Sequence, residues 1–238
     1  MGAINLDNTG SGGAITLSSD GTSLLLGGSA VGGGGADLYA ANESSPAAQP
    51  SATGTNAIAI GDQAVSSGTD SFAIGTDTDS TGTGSLAVGK GAQATANYNL
   101  AIGLNASASA ERAIAIGNNG VVAGSTYSTA IGHNSGFGGS TTATGSGAMA
   151  LGGSYASGAD SFAAAIDNNT ASYGATGANS VAIGYLAKAT GAKSVAISSN
   201  TYSGSATASG GGSVAIGDGA TASGIVSTAI GRGATSTS

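Results

Sequence analysis

A four-residue unit, apolar–Ala–apolar–Gly, recurs along most of this chain, and it constrains the fold more than any other feature. The first five copies run from Ile58-Ala59-Ile60-Gly61 to Ile114-Ala115-Ile116-Gly117, with the glycines at 61, 75, 89, 103 and 117, fourteen residues apart. Later copies continue at looser spacing to Thr228-Ala229-Ile230-Gly231, with a degenerate copy at 162–167. A repeat of this kind indicates a stacked array of small structural units.

Each unit contains two short segments with the alternation of a β-strand. In Ile58-Ala59-Ile60 the two isoleucines share one face, and in Ala64-Val65-Ser66 the outer two residues do. Glycine between the segments permits a tight corner. The pattern therefore predicts an all-β fold, a β-roll or solenoid with coils of about fourteen residues. A coiled coil of the same period is disfavoured, because glycine costs about 1 kcal/mol at each helical position.

The larger apolar residues of the unit are predicted to form the core that holds the coils together. This predicted repeat core comprises Ile58, Ile60, Ile74, Val88, Ile102, Ile116, Ile131, Ile183, Ile197, Ile216 and Ile230. The opposite face carries Ala59, Ala73, Ala87 and Ala101, and its small apolar residues suit close packing against another chain. A single coil buries too little apolar surface to offset the entropy of ordering it. We therefore expect stacked coils and an oligomer.

The composition excludes several classes of function. Only 7% of the residues are charged, the net charge is −7, and the five basic residues are scattered, so no patch suits nucleic acid. The chain has no cysteine and one histidine, His133, which leaves no ligand cluster for a metal. Asp70, Asp77 and Asp79 lack the remaining ligands of a calcium loop. We expect no enzyme, no catalytic residue, no metal and no other cofactor, and no apolar run is long enough to cross a membrane.

Two copies of the unit read Ser180-Val181-Ala182-Ile183-Gly184 and Ser213-Val214-Ala215-Ile216-Gly217, each followed by an Ala-x-Ala segment. This motif resembles the head repeats of trimeric autotransporter adhesins, of the kind found in the Yersinia adhesin head. The resemblance covers residues 55–238. It implies a left-handed parallel β-roll, three chains around one axis, and display on a Gram-negative outer membrane.

The resemblance also implies a function. The expected role is a non-enzymatic adhesin head that attaches to host matrix proteins, host cells or abiotic surfaces through multivalent display on a rigid trimeric roll, as part of virulence. The neck, coiled-coil stalk and membrane barrel of the family have no counterpart in this sequence, so the chain is expected to be a head fragment. A segment of a trimeric phage or virus fibre is the alternative.

Two regions are predicted, an N-terminal β-segment with cap and linker at 1–54 and a β-roll at 55–238. Short apolar segments near Ile4, Ile15 and Leu25 suggest strands, and Asp20-Gly21 between the last two is typical of a hairpin. The favoured interpretation is a cap for the end of the roll, and a separate β-subdomain is the alternative.

Breaks in the spacing indicate insertions near 136–147, 167–177 and 199–212. Tyr173 and Tyr202 lie in two of these insertions, and Tyr155 lies in an irregular stretch. Exposed tyrosine is a frequent contact residue, so these three are the candidate ligand-contact residues. The alternative is that the insertions are tolerated loops without a binding role.

Overall fold

The computed structural model describes residues 49–133, 140–164, 173–198 and 204–238, together with the backbone of four strands nearer the N-terminus. Contacts divide the chain into two units, Met1–Ser44 and Ser45–Ser238. No helix occurs among the described residues, so none there is long and apolar enough to span a membrane.

The N-terminal unit contains a four-stranded antiparallel sheet in the order of the sequence. Its strands are β1 (Ile4–Leu6), β2 (Ile15–Ser19), β3 (Leu24–Leu26) and β4 (Ser29–Val31). The antiparallel pairing of β2 with β3 agrees with the hairpin that Asp20-Gly21 indicates. The strand β4 was not predicted, and the role of this unit as a cap stays a prediction.

The second unit is a parallel β-solenoid in which every coil contributes one long and one short strand. The first short strand is β5 (Ser51–Ala52). The long strands stack into a twelve-stranded parallel sheet. They are β6 (Ile58–Ile60), β8 (Phe72–Ile74), β10 (Leu86–Val88), β12 (Leu100–Ile102), β14 (Ile114–Asn118), β16 (Thr129–His133), β18 (Met149–Leu151), β20 (Phe162–Ala164), β22 (Val181–Ile183), β24 (Val195–Ile197), β26 (Val214–Ile216) and β28 (Thr228–Ile230).

The short strands form a second parallel sheet of thirteen strands. After β5 they are β7 (Val65–Ser66), β9 (Asp79–Ser80), β11 (Gln93–Ala94), β13 (Ser107–Ala108), β15 (Val122–Ala123), β17 (Thr142–Ala143), β19 (Tyr155–Ala156), β21 (Gly174–Ala175), β23 (Lys188–Ala189), β25 (Thr207–Ala208), β27 (Thr221–Ala222) and β29 (Thr235–Ser236). The all-β solenoid with coils of about fourteen residues is thereby confirmed. Because β5 already pairs with β7, the solenoid begins before the predicted boundary at residue 55.

Two corners join the strands of each coil, and in most coils a backbone hydrogen bond closes each corner. At the first corner, after the long strand, the Ala106 amide donates to the Gly103 carbonyl at 3.3 Å. At the second corner, after the short strand, the Ala113 amide donates to the Ala110 carbonyl at 3.1 Å. Gly103 has a φ of 120°, and a Cβ atom there would collide with the carbonyl oxygen of Gly117 in the next coil. The glycine that closes the repeat unit is thus required by the stacking itself.

The interior of the solenoid is lined by alanine, which reverses the predicted core. Ala87, Ala101 and Ala115 of the long strands and Ala94 and Ala108 of the short strands are fully buried. The larger apolar residues on either side of each long-strand alanine point outward. Every member of the predicted repeat core therefore lies on the outer face of the long-strand sheet, from Ile58 and Ile60 to Ile230.

The reason for the reversal is the width of the coil. With only three residues in the long strand and two in the short one, the space between the sheets is filled by methyl-sized and hydroxyl-bearing side chains. Isoleucine in that space would overpack it. The face of Ala73, Ala87 and Ala101 was expected to contact another chain, and that expectation is wrong because these residues are fully buried within their own chain.

The spacing breaks fall at one corner of the coil. Residues 134–139, 165–172 and 199–203 lie outside the described part of the chain, and each segment connects a long strand to the next short strand. The strand pairs that they connect are β16 to β17, β20 to β21 and β24 to β25. The predicted insertions at 136–147, 167–177 and 199–212 overlap these connections and also include the short strands β17, β21 and β25.

Candidate functional site

The outer face of the long-strand sheet carries two parallel rows of mainly apolar residues. The pairing of the strands aligns the first residues of all twelve in one row and the third residues in another. The first row is Ile58, Phe72, Leu86, Leu100, Ile114, Thr129, Met149, Phe162, Val181, Val195, Val214 and Thr228. The second row is Ile60, Ile74, Val88, Ile102, Ile116, Ile131, Leu151, Ala164, Ile183, Ile197, Ile216 and Ile230. We call these two rows the apolar face.

The side chains of the apolar face are only partly covered by their own chain. Phe72 is 39% exposed, Ile131 is 41% exposed and Ile230 is 65% exposed, while the alanines between the rows are buried. At about 4.8 Å between neighbouring strands, the face runs for roughly 50 Å. A contiguous apolar surface of this extent is typical of a protein–protein interface and is rare on a monomeric protein.

The outer face of the short-strand sheet is different in character. Its residues include Asp79, Gln93, Ser107, Thr142 and Lys188, with Ala94, Ala108 and their equivalents pointing inward. The solenoid therefore has one apolar and one largely polar broad face. The inward-facing residues of both sheets are mainly alanine and serine. The two outer faces therefore differ in polarity although the interior that they enclose is similar on both sides.

Two of the three candidate tyrosines lie among the described residues, on the polar face or directly before one of its strands. Tyr155 is the first residue of β19 and is half-buried on the polar face. Tyr173 is half-buried and directly precedes β21, the strand that stacks on β19. Tyr202 lies outside the described residues. The role of these tyrosines in ligand contact stays a prediction.

A second group of aromatic residues, which the sequence pattern did not predict, lies at the second corner. One residue per coil there adopts the left-handed backbone conformation, and these residues stack in a column. The column is Asn56, Asp70, Gly84, Tyr98, Arg112, Tyr127, Gly147, Asp160, Asn179, Lys193, Gly212 and Val226. Asparagine, aspartate and glycine suit this conformation, whereas a bulky residue in it costs about 1–3 kcal/mol.

Three successive bulky members of the column, Tyr98, Arg112 and Tyr127, form a stack that we call the Tyr–Arg–Tyr ladder. The Cζ atom of Arg112 lies 5.4 Å from the ring centroid of Tyr98 and 5.5 Å from that of Tyr127. Both distances allow a cation–π interaction. Arg112 Nη1 donates to Tyr127 Oη at 3.0 Å and lies 2.8 Å from Oε1 of Glu111. The signal in the sequence was the fourteen-residue separation of Tyr98 and Arg112, which places them at the same position of adjacent coils.

The acidic residues considered from the sequence are spread around the coil. Asp70 belongs to the second-corner column and accepts a hydrogen bond of 2.8 Å from Nδ2 of Asn56. Asp77 lies at the first corner with a φ of 55°, and Asp79 begins β9 on the polar face. His133 ends β16 and pairs with Asn118 of β14. Within the described ranges there is no group of three or more His, Cys, Asp or Glu side chains that could hold a metal ion.

Comparison with protein families matches the chain to the YadA head domain repeat. The matched segments are residues 52–78, 80–98, 100–119, 175–197 and 208–234. They coincide with the most regular coils of the solenoid, on both sides of an unmatched stretch.

The matched segments of this chain are YadA head domain repeats. The resemblance of the chain to a trimeric autotransporter adhesin head is thereby confirmed. YadA heads are adhesin domains of surface-exposed autotransporters of Gram-negative bacteria. No curated protein matches the chain significantly over its length. The comparisons give no support to the alternative of a phage or virus fibre segment.

The match clarifies which part of the chain follows the YadA head repeat and which departs from it. The segment between residues 119 and 175 lies outside the matched ranges, and it contains β15 to β20 with two of the three spacing breaks. Even so, the strands of this segment keep the parallel register, with Ala130, Ala150 and Ala163 aligned in the interior. The parallel stacking of the solenoid strands is therefore continuous through the unmatched coils.

Proposed function

We propose that this YadA head is the non-enzymatic adhesive head of a trimeric surface adhesin, in which three copies of the solenoid associate through the apolar face. The observation that carries the proposal is the pair of mainly apolar rows along the outside of the long-strand sheet. Burying them between copies removes from water a surface that the single chain leaves half-exposed. Left-handed coiling of the roll is part of the same proposal.

The apolar face favours identical copies over an unrelated partner because it repeats along the whole solenoid. A second copy offers an apolar face of the same length and spacing, so each coil meets an equivalent coil across the interface. The polar face and both corners then stay in contact with solvent. Three chains carry 3 × −7 = −21 formal charges, which keeps neighbouring heads apart and favours basic regions of a ligand.

Adhesion follows from repetition. A trimer displays three copies of each surface residue, so weak single contacts combine into strong attachment. We propose host matrix proteins, host cells or abiotic surfaces as targets, with the head held at the outer membrane of a Gram-negative bacterium by regions outside this sequence, and a role in virulence. Tyr155, Tyr173 and Tyr202 remain proposed contact residues.

The proposal is tested first by the mass of the chain in solution, from light scattering after size exclusion. One chain has a mass of 21.8 kDa, so a trimer has 3 × 21.8 = 65.4 kDa. A mass near the trimer value is expected, and a mass near that of one chain would contradict association through the apolar face. Attachment of the purified trimer to matrix-coated and uncoated plastic then tests adhesion, and the absence of attachment to either surface and to cells would overturn the adhesive role.

A further inference from the structure

The Tyr–Arg–Tyr ladder has the properties of a built contact site on an otherwise weakly charged surface. Tyr98 is 56% exposed and Tyr127 is 57% exposed, yet their rings hold the guanidinium of Arg112 between them. Tyrosine and arginine are the residue types that dominate binding energy at protein interfaces. The long Arg112 side chain is already ordered by the stack, so a ligand need not immobilise it.

The guanidinium has one edge engaged and one edge available. Nη1 donates a hydrogen bond to Tyr127 Oη and forms an ion pair with Glu111 Oε1. Nε and Nη2 make no hydrogen bond to any residue in the described part of the chain. The N–H groups of Nε and Nη2 point the same way and match the two oxygens of a carboxylate. The available edge of Arg112 therefore fits a carboxylate that accepts two parallel hydrogen bonds.

The neighbouring charge narrows the kind of ligand. Glu111 places a carboxylate beside the guanidinium, with its side chain 47% exposed, and the chain as a whole has a net charge of −7. A polyanion such as an acidic polysaccharide meets repulsion from both. A polypeptide that carries a basic and an acidic side chain next to each other presents the complementary pair, acid to Arg112 and base to Glu111.

We infer that the Tyr–Arg–Tyr ladder is a docking site for a polypeptide with adjacent acidic and basic side chains, whose carboxylate binds the Nε/Nη2 edge of Arg112 while its cation faces Glu111. The inference rests on the proposed adhesive function and names the chemistry of one of its ligands. A single ladder makes a weak contact. Because a trimer carries three ladders, the assembled head binds by avidity.

The test uses the full chain and beads that carry synthetic peptides in a Gly-Ser host. One peptide has adjacent Lys-Glu pairs, the second has glutamate alone and the third has lysine alone, and hyaluronan beads represent an acidic saccharide. Wild-type chain is expected to be retained best on the Lys-Glu peptide. Arg112→Gln and Arg112→Lys should each reduce that retention at least tenfold, because neither side chain offers the fork of two N–H groups.

Three further variants make the test specific to the ladder. Lys193→Gln removes a cation from the same column in a distant coil and should leave retention unchanged. Glu111→Gln should shift the preference towards the peptide with glutamate alone. The double variant Tyr98→Asn and Tyr127→Asn keeps residues that suit the left-handed corner and should reduce retention several-fold. Circular dichroism and solution mass are measured for each variant, to check that it keeps the wild-type fold and assembly.

The outcomes separate this inference from the proposed function. Equal retention of wild type and Arg112→Gln, or stronger retention on hyaluronan than on the Lys-Glu peptide, would overturn the docking site. If that happens while the trimer still attaches to matrix or cells, the adhesive function stands without the ladder. A chain that attaches to no surface overturns the adhesive function, whatever the peptides retain.

Discussion

At the scale of single residues, the second-corner column shows how backbone conformation limits what each coil can display. Asn56 and Asn179 adopt the left-handed conformation at little cost, whereas Val226 does so as a β-branched residue that is 76% exposed. Its exposed position brings no packing that would offset the strain. The corner of the last complete coil is therefore less stable than its equivalents.

Replacing Val226 by asparagine should raise the melting temperature. Relief of roughly 1 kcal/mol of backbone strain corresponds to about 2–4 °C in a chain of this size. Thermal unfolding followed by circular dichroism measures the change. The matched reverse substitution, Asn179→Val, should lower the melting temperature by a similar amount, and equal melting of all three proteins would contradict the strain argument.

The buried serines give a second prediction at this scale. Ser85 Oγ lies 2.6 Å from Ser80 Oγ and donates to the Gly82 carbonyl at 2.6 Å, whereas Ser194 Oγ has no hydrogen-bond partner among the described residues. Ser85→Ala should destabilise the protein by about 1 kcal/mol, and Ser194→Ala should be neutral or stabilising. Denaturant unfolding of the two variants measures the difference, and a larger loss for Ser194→Ala would contradict it.

At the scale of the strand, one coil presents three environments within a few residues. Ala101 is buried between the sheets, Ile102 lies on the apolar face and Ser107 lies on the polar face. Within one repeat, different positions therefore form the interior, the proposed interface between chains and the solvent-exposed face. The same alternation recurs in the neighbouring coils, which is why the faces are continuous.

Aspartate at these three positions should have three different effects. Ala101→Asp buries an unpaired charge in the interior and should unfold the chain. Ile102→Asp should leave the β-rich circular dichroism spectrum unchanged and should reduce the solution mass from that of the trimer towards that of the single chain. Ser107→Asp, the matched control on the polar face, should change neither property. Retention of the trimer mass by Ile102→Asp would show that the apolar face is not the interface.

At the scale of the whole molecule, the solenoid is modular because each coil contacts only its neighbours. Leu86 stacks on Phe72 on one side and on Leu100 on the other. Its stability is therefore a sum of coil and interface contributions and has no single centre.

Deletion of one complete coil, residues 86–99, should preserve folding. The deletion brings Leu100 to the position of Leu86, so β12 can pair with β8 and the register continues. Deletion of seven residues, 86–92, places a short strand where a long one belongs and should abolish cooperative unfolding. Circular dichroism melting of the two proteins distinguishes them, and equal behaviour would contradict the register argument.

The sequence alone determined the period and the β-strand character of the coil, and its motif carried the resemblance to adhesin head repeats, which in turn implied parallel stacking. Fourteen-residue spacing with glycine at each closing position leaves few alternatives to a coil that returns to its start, because only glycine fits beneath the next coil at Gly103. Alternation also showed that Leu100 and Ile102 share one face of their strand while Ala101 lies on the opposite face.

Which of the two faces is the inside was decided only by the tertiary structure. Alternation is symmetric, so the pattern around Ala101 fits an isoleucine interior as well as an alanine interior. The distance between the sheets breaks the symmetry, since three-residue and two-residue strands with tight corners leave room mainly for alanine and serine, and Val121 and Asn99 are the largest side chains buried there. The contact of Arg112 with Tyr98 and Tyr127 likewise depends on the stacking of corners, which brings residues fourteen or more positions apart to within 5.5 Å.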